Sequence, residues 1–301
     1  MGGAGPRSSE APILDRDPRA VKRPGGAGRP ACQRPVASCY KERPREGNGG
    51  APMKLKDRVA IITGGGRNIG RAIAYRLNEM ACNVVVCART QKEIDHTAGV
   101  IQEQGGRSLP ICCDVAQEAD VARVVEATLR HFGRVDFLVN NAGAFLSRPV
   151  DETTTDEYDL LMNTNLRGAF LMSRAVVPQF KKQGGGRIVS VSSLFGVIPS
   201  ANVSVYCAAK AGLIGLTRSM ARELHRHHIN VNAVCPGAVT TGDKVIELEE
   251  TRWALGEHLL PRDVADVVAW LLIDASSQIT GAVIDIPGST GFKVGQLAEG
   301  L

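Results

Sequence analysis

Val59-Ala-Ile-Ile-Thr63-Gly64-Gly65-Gly66-Arg67-Asn68-Ile69-Gly70 joins an apolar run of strand length to a glycine turn, and a helical pattern follows at once. Valine and isoleucine suit a pleated, buried strand. The glycines allow a tight reversal and a close approach of backbone to a ligand. The helix start behind them offers unpaired N–H groups and the positive end of a dipole, which together favour an anion such as a pyrophosphate. A glycine cluster alone could be a plain strand–helix turn. Its place directly after the first strand gives it weight.

The same alternation continues along the chain. Val84–Cys87, Phe137–Val139 and Ile188–Val191 are further apolar runs, Ile229, Val231 and Ala233 alternate with polar neighbours, and Val283–Ile286 is the last candidate strand. A third strand is expected just ahead of Asp114. Helical patterns lie at about 69–80, 91–104, 117–131, 155–181, 204–227 and 262–272. Strands alternating with helices imply right-handed βαβ units, hence an α/β fold with a doubly wound parallel sheet (Rossmann fold). Ligands of such sheets bind at the carboxyl ends of the strands.

Composition agrees. Aromatic residues make up only 4% of the 301, so the core must be built from aliphatic side chains, as suits a parallel sheet covered on both faces. Residues 1–52 hold 8 of the 15 prolines, 9 of the 33 glycines, 10 Lys/Arg and 5 Asp/Glu, with almost no apolar periodicity. Such a segment buries too little surface to offset its ordering entropy and is expected to be a disordered extension. Met53, where the compact pattern begins, is a candidate start of translation. Residues 53–292 are expected to form one domain and 293–301 a tail. The body carries 26 basic and 26 acidic groups, so the whole net charge of +5 lies in the extension. A neutral body gives no electrostatic support for a nucleic-acid partner, and the longest uncharged stretch, 188–209, is broken by Ser, Gly, Asn and Pro and is no membrane span. None of the eight cysteines forms a C-x-x-C pair, and reduced, buried thiols in a cytoplasmic protein are expected. His225, His227 and His228 cluster at a helix end, where the dipole explains them better than a metal does.

The most informative stretch for chemistry is Tyr206-Cys-Ala-Ala-Lys210. Residues four apart share a helix face, so a phenol and an ammonium project side by side. A nearby cation favours the phenolate and brings a Tyr from its reference pKa of about 10 toward operating pH. Alone, this fits an amphipathic helix that merely carries a Tyr and a Lys equally well. Ser193, 13 residues earlier at the end of Gly186–Ser193, changes the balance. A hydroxyl there can donate to an oxygen on which negative charge grows.

These stretches resemble the short-chain dehydrogenase/reductase family over residues 54–290. The resemblance rests on the glycine turn at 63–70, Asn140-Asn141-Ala142-Gly143, Asn163-Thr-Asn165-Leu-Arg-Gly168, Ser193, Tyr206 with Lys210, and Pro236-Gly237 through Thr241. One departure is Asn68, which stands where the family has its middle glycine. Asparagine tolerates a left-handed backbone best among other residues. The resemblance implies an NADP(H)-dependent oxidoreductase moving hydride between nicotinamide and a carbonyl or secondary alcohol. It makes Asn165, Ser193, Tyr206 and Lys210 the catalytic tetrad: Tyr206 as acid/base, Ser193 polarising the substrate oxygen, Lys210 lowering the Tyr pKa and holding the ribose, and Asn165 holding a relay water. Gly64, Arg67, Asn68, Ile69 and Gly70 would form the pyrophosphate turn, Asp114 and Val115 the adenine side, and Asn141, Ala142 and Gly143 the passage for the cofactor. Tyr206, Lys210, Pro236, Gly237, Val239 and Thr241 would lie at the nicotinamide end. Ala88 stands where relatives that use NAD carry an acid, and Arg67 and Arg89 can grip a 2′-phosphate instead.

The overall pattern is closest to 3-oxoacyl-thioester reductases and broad-range carbonyl reductases. Hydroxysteroid and sugar-alcohol dehydrogenases share the tetrad, and a non-catalytic NADP(H) sensor on the same fold is the reading from another class. The segment between Thr241 and Pro261 is shorter than expected and acidic at Glu247, Glu249 and Glu250, which gives no support for docking an acidic carrier protein. Pro287-Gly288-Ser289 replaces the usual Asp-Gly-Gly. A small-molecule carbonyl or alcohol is the expected substrate, no metal is expected, and a homotetramer or homodimer is expected through the helices carrying Asn165 and Tyr206.

Overall fold

A computed structural model describes residues 55–240 and 259–288. Seven strands, β1 (Val59–Thr63), β2 (Asn83–Ala88), β3 (Ser108–Cys112), β4 (Phe137–Asn140), β5 (Gly186–Val191), β6 (Ile229–Pro236) and β7 (Val283–Ile286), form one parallel sheet. Its order is β3-β2-β1-β4-β5-β6-β7. Chain direction across the sheet reverses between β1 and β4, so a crevice opens outside their carboxyl ends.

The helices are α1 (Asn68–Glu79), α2 (Gln91–Glu103), α3 (Glu118–Phe132), α4 (Thr155–Met162), α5 (Gly168–Lys182), α6 (Ser204–Leu224) and α7 (Pro261–Ile273). They bury both faces of the sheet, and the strand side chains divide between them. Ala60 and Ile62 pack in one cluster with Ile73, Leu77, Val264 and Val268 of α1 and α7. Val59 and Ile61 pack in the other with Val124 of α3, Leu171 and Val176 of α5, and Leu224 of α6. This two-sided burial is why the strands read as continuous apolar runs rather than alternating ones.

Three details depart from the periodicity. β3 contains Pro110 and pairs only with β2; an edge position tolerates the missing N–H, and the proline dilutes the strand signal there. The helix expected over 155–181 is two helices joined by a π turn at Asn163–Arg167. The helix expected to reach 227 ends at Leu224 and continues as a 3₁₀ turn, with His228 in the left-handed region at φ 57°. Thr154 begins α4 with a capping box, accepting from Glu157 N–H while the Glu157 carboxylate accepts from Thr154 N–H. The expectations for residues 1–52 and 293–301, for Thr241 and the acidic segment after it, and for Ser289 lie outside the described residues.

Candidate active site

The carboxyl ends of β1, β2, β4, β5 and β6 surround one cleft of about 730 Å³. Every described residue singled out from the sequence for cofactor or chemistry lines it.

At the glycine turn, Gly64 has φ 64° and Asn68 φ 48°. Asn68 therefore adopts the left-handed conformation that the substituted glycine would have taken. Gly70 admits no side chain: a Cβ there would lie 2.2 Å from Gly64 O and 2.5 Å from Asn141 Nδ2. The turn is tied to the next strand end by Thr63 and Asn141. Thr63 Oγ1 accepts from Asn141 N–H and Ala142 N–H, each at 2.9 Å, and the Asn141 amide donates to Thr63 O at 2.9 Å. The Asn141 side chain thus clamps the wall of the cleft. Asn140 reaches away from the cleft and donates to Ser173 Oγ at 3.0 Å, which ties β4 to α5. Asp114 is similarly engaged by Ala116 N–H at 3.0 Å, and Val115 packs against Gly168.

At the end of β2, Ala88 is followed by exposed Arg89, and no carboxylate occupies the Ala88 position. Arg67 is 70% exposed on the facing rim and pairs with Glu93 of α2 at 3.6 Å. Glu93 lines the same cleft. Sequence reading missed it, because an acid in the first turn of a helix is explained by the dipole alone.

The opposite end of the cleft is built by β5 and α6. Lys210 is buried, and its ammonium donates to Val191 O at 3.0 Å. Ser192 Oγ donates to Lys210 O at 2.9 Å, pinning the helix to the strand end. Ser193 Oγ accepts from Phe195 N–H at 3.2 Å, which leaves its own O–H to donate elsewhere. Tyr206 is half-buried in the same cleft, with the Lys210 nitrogen 5.7 Å from its ring centroid. Burial pushes the Tyr206 phenol above its ordinary range, and the Ser193 hydroxyl pulls in the opposite direction. Burial also brings the Lys210 ammonium down to about 8. Desolvation of the phenol dominates, and Lys210 does not offset it: the ammonium is turned toward Val191 O.

Asn165 sits in the π turn, buried, with both N–H donors of its amide engaged. Its Nδ2 donates to Ala144 O and Leu161 O, both at 2.9 Å, and its Oδ1 accepts from Ala144 N–H at 3.2 Å. A π turn is a common device at functional sites; here it carries the side chain that fixes Gly143–Ala144 beside Lys210. The cleft also contains Phe145 and Phe195, which sequence reading did not single out because no motif extends to them. Both rings meet Tyr206 edge-on, at centroid distances of 5.0 and 6.5 Å.

The nicotinamide dinucleotide that the resemblance implies suits these residues. Gly64 and Gly70 keep the floor of the turn free of side chains, and α1 starts at the turn. An ammonium has three donors, and Lys210 gives one to Val191 O, so others remain for sugar hydroxyls.

A parallel sheet of this order, with a glycine turn at its reversal and a Tyr, Lys and Ser gathered at the same crevice, defines a class of dinucleotide-dependent oxidoreductases. Comparison with known proteins gives the family. Residues 58–251 match the short chain dehydrogenase family model. Among curated relatives, the 3-oxoacyl-(acyl-carrier-protein) reductase of Thermotoga maritima is 34% identical over 242 residues, covering 78% of this chain and 98% of that one. Levodione reductase of Leifsonia aquatica is 34% identical over 252 residues, covering 78% and 94%. A solved short-chain type dehydrogenase/reductase from Mycobacterium marinum superposes with a TM-score of 0.72 at 32% identity, covering 78% of this chain and 96% of that one. The chain belongs to the short-chain dehydrogenase family of oxidoreductases.

Proposed function

We propose that this protein is an NADP(H)-dependent oxidoreductase that interconverts a carbonyl compound and a secondary alcohol, with Tyr206 as acid/base. The observation that carries the reading is the convergence of Tyr206, Ser193 and buried Lys210 on the cleft that also holds the glycine turn. A bound nicotinamide supplies hydride to the substrate carbon or removes it.

The chain's own residues do the rest. In reduction, the neutral phenol of Tyr206 gives its proton to the substrate oxygen as that oxygen becomes an alkoxide. Ser193, its oxygen already taken up by Phe195 N–H, points its proton at the same oxygen and stabilises the developing charge. The raised pKa of Tyr206 keeps the phenol protonated at neutral pH, the form that reduction needs. Lys210 holds the nicotinamide ribose, and Asn165 keeps the Gly143–Ala144 wall in place. Pro236, Gly237, Val239 and Thr241 receive the nicotinamide.

NADP(H) rather than NAD(H) is supported by the absent acid at Ala88 and by Arg67 and Arg89, whose forked, charge-assisted bonds suit a 2′-phosphate. A 3-oxoacyl thioester, as the name of the Thermotoga relative states for that protein, and a broad range of ketones are the two substrate classes proposed. Exposed Tyr158, Leu160 and Phe170 on α4 and α5, which flank Asn165, support a homodimer or homotetramer formed through the helices carrying Asn165 and Tyr206. Tyr206→Phe tests the reading. It should lower turnover by about 10²–10⁴, the usual worth of a positioned general acid, while NADPH still binds. Full activity in the variant would refute the assignment.

A further inference from the structure

The two ends of the cleft differ in charge, and that difference bears on what the substrate is. The segments that build the reacting end are residues 137–147 and 188–209, and neither contains a charged residue. The next charged residue after the first segment is Arg148, whose guanidinium is paired with Glu157 at 3.0 Å. The charge that follows the second is Lys210, buried and directed at Val191 O. Among the described residues of these segments, then, no unpaired surface cation faces the reacting end.

Aromatic and aliphatic surface stands there instead. Phe145 is 60% exposed, yet its ring lies edge-on to Tyr206 at 5.0 Å, so it borders the phenol while keeping open surface. Phe195 flanks the same phenol from the 3₁₀ turn at Leu194–Gly196. Leu194 completes this lining, and Val197 and Ile198 are exposed a few residues further along the same loop. An exposed large apolar side chain at a cleft is informative where a scattered one is not. Edge-to-face packing is also a geometry in which a further ring can be added to Phe145.

From this geometry we infer that the substrate is a free, uncharged carbonyl compound bearing an aromatic or alicyclic ring beside the reacting carbon, with Phe145 as the residue that selects for the ring. The inference rests on the oxidoreductase reading above and narrows it. A coenzyme A thioester or an acidic carrier protein brings phosphates or carboxylates that need basic partners, and the described residues of these two segments offer no surface cation for them.

The test compares NADPH-dependent reduction of 1-phenyl-1,2-propanedione, 2,3-butanedione and acetoacetyl-coenzyme A by the full-length protein. The phenyl diketone should exceed butanedione in kcat/KM by about tenfold or more, the scale set by one buried ring contact, mainly through KM. Acetoacetyl-coenzyme A should not exceed butanedione. Phe145→Ala should bring the phenyl-to-methyl ratio down toward unity, and Phe145→Trp should restore it. Turnover with no ring preference, a ratio unchanged in Phe145→Ala, or acetoacetyl-coenzyme A as the preferred substrate would overturn the inference and leave the oxidoreductase reading standing. No reduction of any of the three would overturn that reading and the inference with it.

Discussion

The catalytic end and the adenosine end of the cleft are built from different materials. At the catalytic end, Lys210 and Asn165 are buried, and Ser192 and Val191 hold α6 against β5. At the adenosine end, Arg67, Arg89 and Glu93 are side chains on the rim, joined by one loose ion pair. On the proposed reading, the chemistry would rest on buried, hydrogen-bonded groups and the choice between two cofactors on a few exposed charges. Substitutions at the first end should therefore be severe, and those at the second graded.

After Tyr206→Phe, Ser193→Ala gives the largest of the expected effects. Removing one preorganised donor from a developing oxyanion costs roughly 10²–10³ in kcat, with NADPH affinity retained; an unchanged kcat would break the contrast. The double change Arg67→Ala with Arg89→Ala comes next. Charge-assisted hydrogen bonds are worth about 1.5–3 kcal/mol, so NADPH should bind about ten- to a hundredfold more weakly in a fluorescence titration while NADH is little affected. Equal losses for both cofactors would mean that these arginines do not face a 2′-phosphate. Glu93→Gln is the smallest. Partly exposed ion pairs are worth about 0.2–1 kcal/mol, so freeing Arg67 should tighten NADPH about two- to fivefold and leave NADH unchanged. Weaker NADPH binding in this variant would show that Glu93 orients Arg67 rather than competing for it.

The same contrast explains what could be read from the sequence. The order of strands and helices was legible because strands buried on both faces leave long aliphatic runs, as at Val84–Val86. Tyr206 and Lys210 were legible because helical spacing alone puts them on one face, and Ser193 because a strand end precedes it. β3 was faint because an edge strand can carry Pro110. The π turn at Asn163–Arg167 has no sequence signal, since it is imposed by packing, and with it the engagement of the Asn165 amide with Ala144 and Leu161 stayed hidden. Glu93 and Phe145 were missed for a common reason: each is an exposed residue whose meaning comes from what lies across the cleft. The direction of the Tyr206 shift also needed the structure, because spacing reports a neighbouring cation but not how deeply the phenol is desolvated.

The pH dependence of kcat/KM in both directions tests the role of Tyr206 most directly. Reduction uses the protonated phenol, so it should be flat through neutral pH and fall only as the raised pKa of Tyr206 is passed. Oxidation uses the phenolate, so it should rise with pH toward the same point. Opposite slopes governed by one shared group, displaced to higher pH in Ser193→Ala where the opposing pull on the phenol is gone, are the expected result. Two directions that rise and fall together with pH would contradict a single phenol serving as both acid and base.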